Sequence, residues 1–161
     1  MSLSTLCQAC GLCCDGSLFT FVSVDAEQGK KLLARDVALE LRKDGVYRLH
    51  QRCASLEGTR CQIYEDRPGP CRSYVCLLGT ALQEGELSLR DSLELVAQAH
   101  ARIAELDATL PVRADARTGT VQRVRQSRAG EGPALPDDAV AAWERVRDLL
   151  QRVFTGRHGM R

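Results

Sequence analysis

The sequence predicts an α+β fold: a small, irregular, metal-stabilised cysteine-cluster region with short strands, followed by two amphipathic helices packing on it. Three observations lead there. All eight cysteines fall within the first 76 of 161 residues. Short runs in that region are rich in aromatic and β-branched residues, the composition of strands. Beyond the last cysteine, apolar residues recur at the three- and four-residue steps of a helix. Residues 1–80 are read as the cluster region and 81–161 as its helical complement, within one domain or beside it.

In the cluster region, Ser17 to Val24 (SLFTFVSV) reads as the first strand. Asp25, with Gln28 three residues on, is a capping box opening a short helix that runs through Ala34. Gly45 precedes a second strand, Val46 to Leu49, and Cys61 to Tyr64 is a short third. Two prolines and a glycine make Asp66 to Pro70 a turn. In the complement, Leu89, Leu93, Val96, His100 and Ile103 mark one helix face. A second helix starts after Pro136 with an aspartate cap, carries Val140, Trp143, Val146, Leu150 and Val153, and stops at Gly156. The polar stretch 111–136 between them is expected to be flexible.

Composition narrows the function. The chain is 44% hydrophobic and 27% charged with a net charge of +1, so its overall field attracts neither nucleic acid nor an anionic membrane. No apolar run approaches the ~20 residues that span a bilayer, and Met1 to Leu6 lacks the basic start and apolar stretch of a secretory signal. A cytoplasmic, reducing location follows as the expectation. There thiols stay free, and metal ligation explains the cysteines better than four disulfides.

The strongest local signal is Cys7-Gln-Ala-Cys10-Gly11, the spacing of a zinc knuckle, with a glycine where a positive φ is needed. The run continues to Cys13 and Cys14. Cys7, Cys10 and Cys13 share the C-x₂-C-x₂-C spacing of bacterial ferredoxins, but the fourth cysteine followed by proline is missing. Neighbouring side chains usually point apart, so Cys13 and Cys14 are expected to serve two ions, each completed by cysteines from 53–76. One structural site plus buried free cysteines is the simpler alternative. Cys53, Cys61, Cys71 and Cys76 are spaced too widely for a knuckle and need the fold to assemble them. Arg67 and Arg72 either offset the negative charge of such a site or are solvated surface arginines. His50 and His100 read as structural, and His158 lies in the tail. An all-sulfur ligand set, Cys7, Cys10, Cys13, Cys14, Cys53, Cys61, Cys71 and Cys76, selects zinc, iron–sulfur or copper(I) over magnesium or calcium.

C-x-x-C-G-x-C-C followed by C-x-I-Y-E-x-R-P-x-x-C-R-x-Y-x-C resembles the YkgJ-type cysteine-cluster family, described as zinc- or iron-chelating. The match covers about the first 80 residues: Cys7, Cys10, Gly11, Cys13 and Cys14, then Cys61, Ile63, Tyr64, Arg67, Pro68, Cys71, Arg72, Tyr74 and Cys76, with Cys53 at the usual intermediate position. The resemblance implies metal chelation and leaves the metal open. A related motif occurs in flagellin lysine methylases, much larger enzymes thought to use an iron–sulfur cluster, and this chain shows none of their further machinery.

The expectation is therefore a small metal-binding protein holding zinc or iron through its cysteines, mainly structural or metal-handling, with the residues leaning against an enzyme and leaving that question open. Zinc is the first choice of metal; iron or an iron–sulfur cluster in redox or methyl-transfer chemistry is the alternative. A third reading is an interaction module, in which Arg113, Arg117, Arg123, Arg125 and Arg128 meet an acidic partner. No aromatic residue is interleaved there to stack on bases, which argues against nucleic acid.

Overall fold

The computed structural model describes residues 2–112 and 117–156. The chain opens with helix α1 (Ser2–Cys10), which sequence reading missed. Its C-terminal turn contains both Cys7 and Cys10, so the C-x-x-C lies on a helix and not in a knuckle loop. Gly11 ends the helix at φ +67°, the left-handed conformation that glycine takes without steric cost.

Strand β1 (Phe21–Val24) pairs antiparallel with β3 (Tyr47–His50), Phe21 opposite His50 and Val24 opposite Tyr47. The short β2 (Glu40–Leu41) lies on the other edge of β3, giving the order β1-β3-β2. Helix α2 (Ala26–Leu33) is capped by Asp25, whose carboxylate accepts from the Gln28 N–H at 2.8 Å. A hairpin of β4 (Leu56–Glu57) and β5 (Arg60–Cys61) follows. The 60s segment leaves β-structure after Cys61. A 3₁₀ turn (Tyr64–Asp66) leads into α3 (Gly69–Ser73), which starts just after Pro68 and carries Cys71. The expected turn at 66–70 thus ends in helix, since a proline near a helix start costs no hydrogen bond.

Helices α4 (Leu77–Gln83), α5 (Leu89–Thr109), α6 (Thr120–Arg128) and α7 (Asp137–Leu150) complete the described chain. The two amphipathic patterns became α5 and α7. The cap of α7 is Pro136, without a side-chain hydrogen bond, and not an aspartate. A π-helical turn, Gln151–Thr155, carries the helix on to Gly156 at φ +69°. Within 111–136, expected to be flexible, α6 buries Val121 and Val124 completely. The reading failed there because six of the nine α6 residues are Arg, Gln or Ser, and two valines are enough to dock so short a helix.

The described residues form two hydrophobic cores. The larger joins Leu6, Leu12, Leu18 and Leu78 to Val96, Leu106, Val124, Trp143, Leu150 and Phe154. Residues before and after position 80 thus share one interior. The smaller lies under the sheet and comprises Val24, Leu32, Val37, Leu49, Cys53 and Leu56. Burial of each such leucine contributes about 1.5–3 kcal/mol.

Candidate metal centre

The segment 10–15 lies between the two cores and divides its side chains among them. The Gly11 carbonyl accepts from the N–H groups of Cys14 and Asp15, both at 2.9 Å, in a tight turn. That turn aims consecutive residues in opposite directions. Leu12 is fully buried in the larger core, with Cys10, Cys13 and Cys76 in or against it. Cys14 packs instead against the smaller core, which contains Cys53.

Apart from the effect of Cys14 on its neighbour Cys13, the thiols interact along the same line. Burial pushes the Cys10 thiol up to about 12, with the neighbouring Cys76 and Cys7 adding to the rise. Cys7 is raised by burial and by Cys76, and Cys13 by burial and then by Cys10, by its neighbour Cys14, and by Cys76 and Cys7. Cys14 is raised by burial and then by Cys53, Cys61 and Cys71. Burial likewise lifts Cys71 to about 11, helped by Cys53 and Cys61. The eight cysteines thus fall into a first group, Cys7, Cys10, Cys13 and Cys76, and a second, Cys14, Cys53, Cys61 and Cys71. All eight are free thiols.

Each group has its own support. Cys76 caps α4, its sulfur accepting from the Gly79 N–H at 3.4 Å. Such a donor favours thiolate over thiol. In the second group the Cys53 N–H donates to the Cys14 carbonyl at 2.8 Å. Arg67 lies between the groups and draws down the thiols of both Cys7 and Cys71. It is held over the Tyr64 ring at 3.5 Å, its Nε donating to the Tyr64 carbonyl at 2.7 Å. Arg72 is exposed and faces Lys31 on α2. Of the two sequence readings for these arginines, Arg67 fits the charge-offsetting one and Arg72 the solvated one.

The donor set fits a thiophilic ion, because each group offers four sulfurs. Among the described residues, no three or more His, Cys, Asp or Glu side chains already stand where they could hold an ion. An ion held by either group would require its sulfurs to turn toward it, and such a movement would couple binding to local folding.

The histidines stand apart from the sulfurs. His50 pairs with Glu40 at 2.5 Å on the surface, and His100 Nε2 lies 2.8 Å from the Cys10 carbonyl, tying α5 to α1. His158 lies outside the described residues, as do Arg113 and Asp115 of the basic stretch. Two arginines of that stretch are engaged internally. Arg123 bonds Asp107 at 3.1 Å, and Arg125 donates to the carbonyls of Gly16 and Ser17 at 3.2 and 2.9 Å. No described helix is long and apolar enough to cross a membrane.

The fold and the thiol groups define a cysteine-cluster protein with eight free thiols. Residues 6–92 match the model of the CxxCxxCC family, described as a "Putative zinc- or iron-chelating domain", and the chain belongs to that family. No curated protein and no solved structure matches it.

Proposed function

We propose that this chain is a cytoplasmic protein that holds two metal ions, each in a four-thiolate site, in a structural or metal-handling role. One ion is held by Cys7, Cys10, Cys13 and Cys76, the other by Cys14, Cys53, Cys61 and Cys71. The observation that carries the reading is the divergence of Cys13 and Cys14 onto different cores. It divides eight sulfurs four and four, and four thiolates complete a tetrahedral zinc shell. A closed shell leaves no position for a catalytic water, which favours structure or storage over hydrolysis. When bound, zinc would supply cross-links that the short β4–β5 hairpin and the irregular 51–76 segment cannot supply from apolar burial.

An iron–sulfur centre is the second reading. It is favoured by Cys7, Cys10 and Cys13 sharing a group with the distant Cys76, since ferredoxin-type clusters combine a C-x₂-C-x₂-C run with a remote cysteine. Elemental analysis of protein purified without oxygen or chelator tests both. Two equivalents of zinc in a colourless protein support the first reading, and brown protein containing iron and sulfide supports the second. Less than half an equivalent of any of zinc, iron or copper refutes metal binding.

A further inference from the structure

The three second-group cysteines in the 51–76 segment sit in or beside short, irregular backbone, and each stretch is gripped by a glutamine from a different helix. The Cys61 N–H donates to Gln8 Oε1 of α1 at 3.1 Å. The Gly69 N–H, two residues before Cys71, donates to Gln28 Oε1 of α2. The Gln51 carbonyl, two residues before Cys53, accepts from Gln122 Nε2 of α6.

The surroundings leave room for all three grips. Gly11 brings the α1 end against Thr59 of the hairpin, where a Cβ would lie 2.9 Å from the Thr59 carbonyl oxygen. At Gly16 a Cβ would run into the Gln122 side chain at 2.6 Å, so glycine clears its path. At Gly69 a Cβ would meet Gln28 Oε1 at 3.4 Å. A glutamine amide can substitute for the strand or helix partner that irregular backbone lacks, since backbone polar groups taken out of water need one. The first group is held differently: His100 Nε2 lies 2.8 Å from the Cys10 carbonyl, and Cys7, Cys10 and Cys76 are set by α1 and the start of α4.

We infer that Gln8, Gln28 and Gln122 are positioning residues that assemble the second thiolate group, while the first group forms without them. This rests on the two-centre reading above. Positioning partners of metal ligands change affinity about 10–100-fold, and each glutamine holds one ligand-bearing stretch, so about tenfold per substitution is expected.

The test uses zinc alone as the probe, on the full chain and on Gln8→Ala, Gln28→Ala and Gln122→Ala. Native mass spectrometry counts ions during competition with a graded chelator series, and alkylation mapping identifies the released cysteines. Each variant is expected to keep one ion at wild-type affinity and to release the other about tenfold more readily. Alkylation should appear at Cys14, Cys53, Cys61 and Cys71 before the other four. A general loss of stability would instead release both ions together. Three variants on three helices keep the test open should one fail to fold. Wild-type affinity for both ions in every variant, or alkylation spread evenly over all eight cysteines, overturns the inference and leaves the two-centre reading standing. A wild-type protein that takes up fewer than two zinc ions sinks the two-centre reading itself.

Discussion

Gly11→Ala isolates the close approach that brings the two cysteine groups together. At φ +67° a residue with a Cβ pays about 1–2 kcal/mol for the left-handed conformation. The new methyl would also lie 2.9 Å from the Thr59 oxygen and 3.0 Å from its Cα. These are backbone atoms, so relief requires the hairpin bearing Cys61 to move, at an overpacking cost of about 1–3 kcal/mol. The sum is about 2–5 kcal/mol, and at about 2–4 °C per kcal/mol for a chain of this size the Tm falls by roughly 4–20 °C. Gly45→Ala is the matched control. Its φ is +81° but nothing lies within 4 Å of a Cβ there, so only the conformational cost applies. Thermal unfolding of the metal-loaded proteins by circular dichroism gives both numbers. Should Gly11→Ala melt within about 2 °C of Gly45→Ala, the approach of loop and hairpin is not as described.

Arg67→Gln is expected to weaken retention of both ions several-fold, because Arg67 draws down thiols in each group, whereas Arg72→Gln leaves them unchanged; chelator competition decides, and equal effects would refute the distinction. Metal removal should abolish the near-UV signal of the cluster region while leaving much of the far-UV helix signal of α5 and α7, which pack on each other around Trp143. An unchanged near-UV spectrum after complete removal would contradict the coupling of binding to folding. The metal-free protein should lose stability in alkali. Its buried thiols ionise above their ordinary value of 9.0, Cys71 at about 11 and Cys10 at about 12, so the unfolded chain gives up protons first. The stability they contribute is full below pH 9 and is lost as the pH rises through the folded values. Urea denaturation at pH 8 and pH 10 should show the drop, and a flat profile would argue against buried neutral thiols.

Elements written in strong local patterns were legible in the sequence. The repeat from Leu89 to Ile103 became α5, and the expected face from Val140 to Val153 became α7 and the π-helical turn after it, though Val140 lies exposed; Asp25 capped α2 as its spacing suggested. Helix α1 was hidden because C-x-x-C-G is shared by knuckle loops and helix ends, and only Gly11 at φ +67° marks which one it is. Helix α6 was hidden because just two of its residues enter the core. The divergence of Cys13 from Cys14 was legible only as a geometric expectation. Which distant cysteine joins which group depends on how α4 and the hairpin dock, and no local spacing encodes that. The glutamines left no sequence signal, since a polar side chain gripping remote backbone looks like any solvated glutamine.

The central claim is that Cys13 and Cys14 serve two different centres, and metal stoichiometry in substituted proteins tests it most directly. Cys13→Ser, Cys14→Ser and the double substitution would be purified without oxygen and their bound metal counted beside the wild type. Each single variant is expected to keep one of two ions, Cys13→Ser exposing Cys7, Cys10 and Cys76 to alkylation and Cys14→Ser exposing Cys53, Cys61 and Cys71, with the double variant losing both. One ion or one cluster in the wild type, together with a substitution at either position that changes nothing, would contradict it.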